Sequence, residues 1–123
     1  MNVLLWILQV LLAAAFLAHG LMFLFPPADL VAVMDASLSR PLRYFLGVAE
    51  VAAAIGLVVP GVTRIKPWLV PLAAAGLVPI MIGATVLHVA RGEYGSSVTT
   101  AILLALLVLV AWLRRRPYAI SSR

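Results

Sequence analysis

Four strong polar groups stand inside otherwise apolar sequence: His19, Arg43, Glu50 and His88. A carboxyl and an imidazole within hydrogen-bond reach make an acid–base pair, so Glu50 with His19 or with His88 is a candidate for proton transfer. Arg43 lies seven residues before Glu50 on the same helix face and is a candidate partner for its charge. Ser97 and Thr100 offer hydroxyls nearby. Each group also has a plainer reading: Arg43 as an anchor reaching the membrane surface, and the histidines as hydrogen-bonded bundle residues. Nothing else in the chain points to catalysis. There is no nucleophile with a defined base, no zinc-type histidine spacing and no phosphate loop. The chain has no cysteine, which excludes disulfides, thiol redox chemistry and cysteine-based metal sites. Two histidines could be at most part of a metal site completed by Glu50 or water, and no metal centre is assigned.

The elements that must position these groups are set by composition. Hydrophobic residues make up 65% of the 123 and charged residues 11%, with a mean hydropathy of +1.17. Soluble domains carry about 25% charged residues, and a chain this short must expose much of its surface. So little charge cannot cover a water-facing surface. The expected fold is all-α, a four-helix bundle forming a single transmembrane domain over residues 1–123.

Residues 3–25 are apolar except for Gln9 and His19. About 20 such residues cross the ~30 Å hydrocarbon core, so this stretch reads as a first spanning helix. A secretory signal peptide is the rival. It would need a basic leading region, which is missing, and the apolar run continues to Phe25, well past Ala13-Ala14-Ala15. Pro26-Pro27 ends the span, and a short interfacial helix fits 28–36. Ser39, Arg40 and Pro41 read as a helix start, and the second span covers 41–59 with Pro60-Gly61 as its stop. The third covers 67–90, with Pro79 near its middle. The fourth covers 97–113, capped by Ser96 or Ser97. Small residues crowd the second span (Gly47, Ala49, Ala52, Ala53, Ala54, Gly56) and the third (Ala73, Ala74, Ala75, Gly76, Gly83, Ala84). Small residues let backbones approach in lipid, so these two spans are the expected tight pair.

The net charge is +5 and the isoelectric point about 10.8, yet the basic residues sit at span ends without aromatic interleaving. They read as topology signals, and nucleic acid is not an expected partner. Arg64, Lys66, Arg114, Arg115, Arg116 and Arg123 fall on one side, six in all, against Arg40, Arg43 and Arg91 on the other. The positive-inside rule therefore places both termini in the cytoplasm of a multi-pass cell-membrane protein, in the inner membrane if the source is bacterial.

A carboxylate at the centre of a span costs about 2.5–3.5 kcal/mol on insertion scales, so Glu50 must be protonated, paired or facing a wet cavity. At 1.5 Å per residue from the outer ends, Glu50 lies ~13 Å deep, His19 ~9 Å, and Arg43 and His88 ~3 Å. Side chains lean toward the N-terminus of their helix, which tilts Glu50 outward and both imidazoles inward. One shared polar cluster in the outer half is the expectation, with water or His88 bridging Arg43 and Glu50 and with Thr100 at its edge.

At these residues a family pattern emerges. Arg43-x-x-Leu46-Gly47-x-x-Glu50, then Ala54-x-Gly56-Leu57-Val58-x-Pro60, then Ala84-x-x-x-His88-x-x-x-Gly92-Glu93 resemble the DoxX and DoxX-like family of small four-helix membrane proteins. The resemblance implies that Arg43, Glu50 and His88 are the recurrent polar positions; His19 comes from depth alone. It also implies mixed functions, including membrane subunits of a thiosulfate to quinone oxidoreductase, proteins with oxidative-stress partners, and accessory or assembly factors. Thiol-based mechanisms cannot apply to this chain.

Three readings follow. One is an outward-opening pocket of Glu50, Arg43, His88 and His19 that binds a quinone, lipid or other small amphiphile, or docks a membrane partner as an accessory factor. The second is a subunit of a quinone-linked oxidoreductase, with electrons brought by a partner. The third is an oligomeric transporter or channel for small solutes. The expected partners are the lipid bilayer and either another protein or further copies of the chain.

Overall fold

The computed structural model describes residues 1–122 and is all-helical among them. The helices are α1 (Asn2–Leu24), α2 (Val31–Ser37), α3 (Arg40–Thr63), α4 (Leu69–Ala90) and α5 (Tyr94–Arg115). All but α2 are long and apolar enough to cross a membrane. Each of the four has 22 to 24 residues, or about 33–36 Å at 1.5 Å per residue.

One buried stripe runs down each long helix. In α3 it is Arg43, Gly47, Glu50, Ala54, Leu57 and Gly61, and in α4 it is Val70, Ala74, Leu77 and Met81. Steps alternating between four and three residues repeat every 3.5, the period that keeps one seam facing a neighbour in a left-handed bundle. Leu5, Leu12 and Phe16 of α1 and Leu107, Val110 and Leu113 of α5 complete the core. Arg43 and Glu50 therefore belong to the core seam itself, where a side chain must find its partner inside the protein.

The expected tight pairing of the second and third spans is corrected. The most extensive packing is α1 against α3 and α4 against α5, with α3 against α4 next. The cause is a glycine crossing that joins α1 to α3. A Cβ on Gly20 would fall 2.9 Å from the Gly47 carbonyl oxygen, and one on Gly47 would fall 3.0 Å from that of Gly20. Gly56 meets Ala73 of α4, but Gly76 faces open space, so α4 spends its small residues less on α3.

Two boundaries also differ from expectation. Pro60-Gly61 does not stop α3, which runs on to Thr63 and ends at a left-handed Arg64 (φ 57°). Proline removes one backbone bond near the helix end, a loss that a membrane bundle accommodates. Gly61 is needed for packing, because a Cβ there would lie 2.6 Å from the Trp6 ring. The helix after α4 begins at Tyr94, ahead of the serines expected to cap it. Gly92 (φ 74°) reverses the chain directly after α4, and Ser97 is buried inside α5.

Candidate functional site

Glu50 is 1% exposed, and its Oε1 lies 2.7 Å from Nδ1 of His19 on α1. At that distance one proton lies between imidazole and carboxyl, held by either. The Gly20–Gly47 crossing adjoins His19 and lies one turn from Glu50, so the close approach of the backbones sets this short span. The imidazole packs against Phe23 at 4.3 Å between ring centroids, and the His19 side chain is 45% exposed. The pair thus has a sealed acid end and an imidazole end open at the helix surface.

Arg43 is 1% exposed and does not reach Glu50. It donates through Nη1 to the Phe23 carbonyl at 2.5 Å and through Nη2 to Oδ1 of Asp35 at 3.4 Å. Its guanidinium sits 4.9 Å from the centre of the Tyr44 ring, and among the described residues Nε has no partner. The Phe23 carbonyl would ordinarily accept from the amide four residues on, and that residue is Pro27, which has none. Arg43 supplies the missing donor and closes the end of α1.

Asp35 on α2 completes a clasp. Arg40 donates to its Oδ2 from Nη2 at 2.7 Å and from Nε at 3.1 Å. The Arg40 hydrogen bonds hold the Asp35 carboxyl below its ordinary 3.8, with burial opposing and the charges of Arg40 and Arg43 adding to the fall. Asp35 is not among the site residues expected from the sequence. Its signal was there, an acid five residues before Arg40 across a helix start.

His88 is not part of a shared cluster. Its Nδ1 pairs with Oε1 of Glu93 at 2.8 Å, since the left-handed Gly92 folds Glu93 back over the last turn of α4. Thr100 is likewise elsewhere, on the seam between α4 and α5, where its hydroxyl is 2.8 Å from that of Thr85 and 3.0 Å from the Ser97 carbonyl. The single four-residue pocket therefore resolves into separate units: His19 with Glu50, Arg43 with Asp35 and Arg40, and His88 with Glu93. Among the described residues no three of His, Cys, Asp and Glu gather as a metal ion would need.

A second buried polar group lies at the end carrying the termini, and it includes Arg114, which the loop charges alone mark only as a topology signal. Arg114 is 2% exposed and Gln9 is wholly buried. Arg114 donates from Nε to Gln9 Oε1 at 2.6 Å and from Nη1 to Asn2 Oδ1 and the Tyr118 carbonyl. Gln9 in turn donates to the Leu57 carbonyl at 2.7 Å. The lone amide in an apolar span was the available clue.

Four apolar helices around a seam of paired polar groups define a small multi-pass membrane protein of the four-helix type. Comparison with family sequences matches residues 7–110 to the DoxX-like family, and the chain belongs to it. Neither the curated proteins nor the solved structures give a match.

Proposed function

We propose that this DoxX-like protein binds the polar head of a small amphiphile, a quinone or a lipid, at His19, as a binding or accessory protein of the membrane. The observation that carries the reading is the 2.7 Å bond between the sealed Glu50 and the half-exposed His19. An intramembrane carboxyl is costly, and its usual place is a functional site. With Nδ1 engaged by Glu50, Nε2 is left to donate to a carbonyl or accept from a hydroxyl arriving from the lipid side. Arg43, fixed on Asp35 and the α1 terminus, positions the end of α1 that bears His19 and does not itself meet the ligand. His88 and Thr100 hold the outer turn and the α4–α5 seam.

A second reading, a subunit of a quinone-linked oxidoreductase, is favoured by the same bond. A proton taken up at Nε2 can be matched by one passed from Nδ1 to Glu50, so the pair would move protons while a partner protein supplies electrons. For either reading the loop-charge asymmetry puts the termini in the cytoplasm and the His19 end toward the outside.

The test is mass spectrometry of the detergent-purified protein for bound quinone or lipid, in wild type, Glu50→Gln and His19→Ala. The reading expects a defined ligand whose occupancy falls in both variants while the protein still elutes as a folded species. Absence of ligand from wild type, with His19→Ala and Glu50→Gln both failing to fold, would make the pair purely structural.

A further inference from the structure

At the opposite end of the bundle, a groove of about 750 Å³ runs between α4 and α5, within the size range of ligand sites. Its walls are Trp68, Ala75 and Val78 on one side and Val108, Trp112 and Arg115 on the other, and Ile120 of the terminal tail closes its end. From the first residue of α4 to Val78 is ~13 Å of rise, and from Val108 to Arg115 ~10 Å. The groove thus extends from the helix ends most of the way to the middle of a ~30 Å core, the depth of one leaflet. Trp68 and Trp112, both exposed, stand at its mouth, the level that indole rings prefer.

The charge at this mouth has one sign. Arg64, Lys66, Arg114, Arg115 and Arg116 lie at this end, whereas the four acids, Asp29, Asp35, Glu50 and Glu93, all lie in the other half. Arg114 is already committed to Gln9, Asn2 and Tyr118, and Arg64 straps the tail by donating to the Ser121 carbonyl at 2.8 Å. Arg115 is exposed and, among the described residues, makes no side-chain hydrogen bond. An apolar slot one leaflet deep with an unengaged guanidinium at its rim fits an acyl chain below an anionic headgroup.

We infer that the α4–α5 groove is a binding site for an anionic phospholipid, with an acyl chain against Ala75, Val78 and Val108 and the headgroup phosphate on Arg115. The site is separate from the His19–Glu50 pair and does not depend on its role. The terminal tail forms its outer wall, anchored by Arg64 and Arg114 so that the slot stays open.

The test is native mass spectrometry of the purified full chain equilibrated with phosphatidylglycerol or phosphatidylcholine of identical chains. Wild type is expected to retain phosphatidylglycerol preferentially. Arg115→Gln should lower that retention about fivefold, the effect of one basic charge near a headgroup, and lower that of phosphatidylcholine, whose phosphate is offset by its own choline cation, by less. Ala75→Trp fills the slot and should lower retention of both lipids. Equal retention of the two lipids by wild type, a preference that survives Arg115→Gln, or full retention by Ala75→Trp would each overturn the proposal.

Discussion

Every buried polar residue of the core seam has a partner set by what its surroundings lack. Glu50 is sealed among apolar helices and takes the imidazole of α1. Arg43 takes the carbonyl that Pro27 leaves without a donor. Removing one partner of such a pair costs more than changing both, because the remaining group is left desolvated and unsatisfied. His19→Ala, which strands the buried carboxyl, should therefore lower stability in detergent by about 1–3 kcal/mol. Glu50→Gln keeps a side chain that can still bond His19 and should cost less; equal melting temperatures for the two variants would show that the pair is unimportant. Arg43→Lys should behave like Arg43→Ala, because one ammonium cannot reach both Phe23 and Asp35 in the geometry of a planar fork.

The helices meet through small residues in some places and through side-chain clasps in others. Alanine at Gly20 or Gly47 puts a methyl about 3 Å from a carbonyl oxygen of the facing helix, so α1 and α3 must part and the His19–Glu50 bond must lengthen. A loss of about 1–3 kcal/mol is expected for such overpacking. Alanine at Gly76, where nothing lies within 4 Å, should instead be neutral or stabilise by about 0.5–1 kcal/mol through helix propensity. Equal stability changes at positions 47 and 76, read from the same denaturation curves, would refute the crossing. The α2 clasp has its own signature. The folded Asp35 carboxyl is depressed below 3.8, so its contribution is fully present above that value and is lost only as pH falls through the lower folded value. Hydrogen exchange in Val31–Ser37 should stay slow through mildly acidic pH and rise below that range, whereas Asp35→Asn should show fast exchange at every pH.

Across the whole molecule the two ends of the bundle do different things. One carries paired acids and bases and the α2 clasp. The other carries cations that, among the described residues, have no acidic partner, together with the anchored tail and the lipid-sized groove. Arg114 is the bolt of that second end, holding α5, the start of α1 and the tail at once, with its guanidinium 5.4 Å from the centre of the Trp6 ring. Arg114→Ala should cost at least ~3 kcal/mol, the scale of breaking several charge-assisted bonds in a buried site, and should expose residues 117–122 to limited proteolysis. An unchanged cleavage pattern would show that the tail is held by other contacts.

Much of this was legible in the chain before any packing was known. Transfer from water to lipid adds up residue by residue along a sequence, so the four spans, the short helix before Arg40 and the burden of a carboxyl at position 50 follow from composition and spacing. The partners did not follow. Whether Glu50 meets His19 or His88 depends on helix rotation, where one residue turns a side chain by about 100°, and on how closely two backbones approach. Rise along a single helix puts His88 at a plausible level, but level says nothing about facing. The Gly20–Gly47 contact brought α1 to α3, and the left-handed Gly92 turned Glu93 onto His88. Pairing across helices is a property of three-dimensional packing, because it depends on distances between segments that the order of residues does not contain.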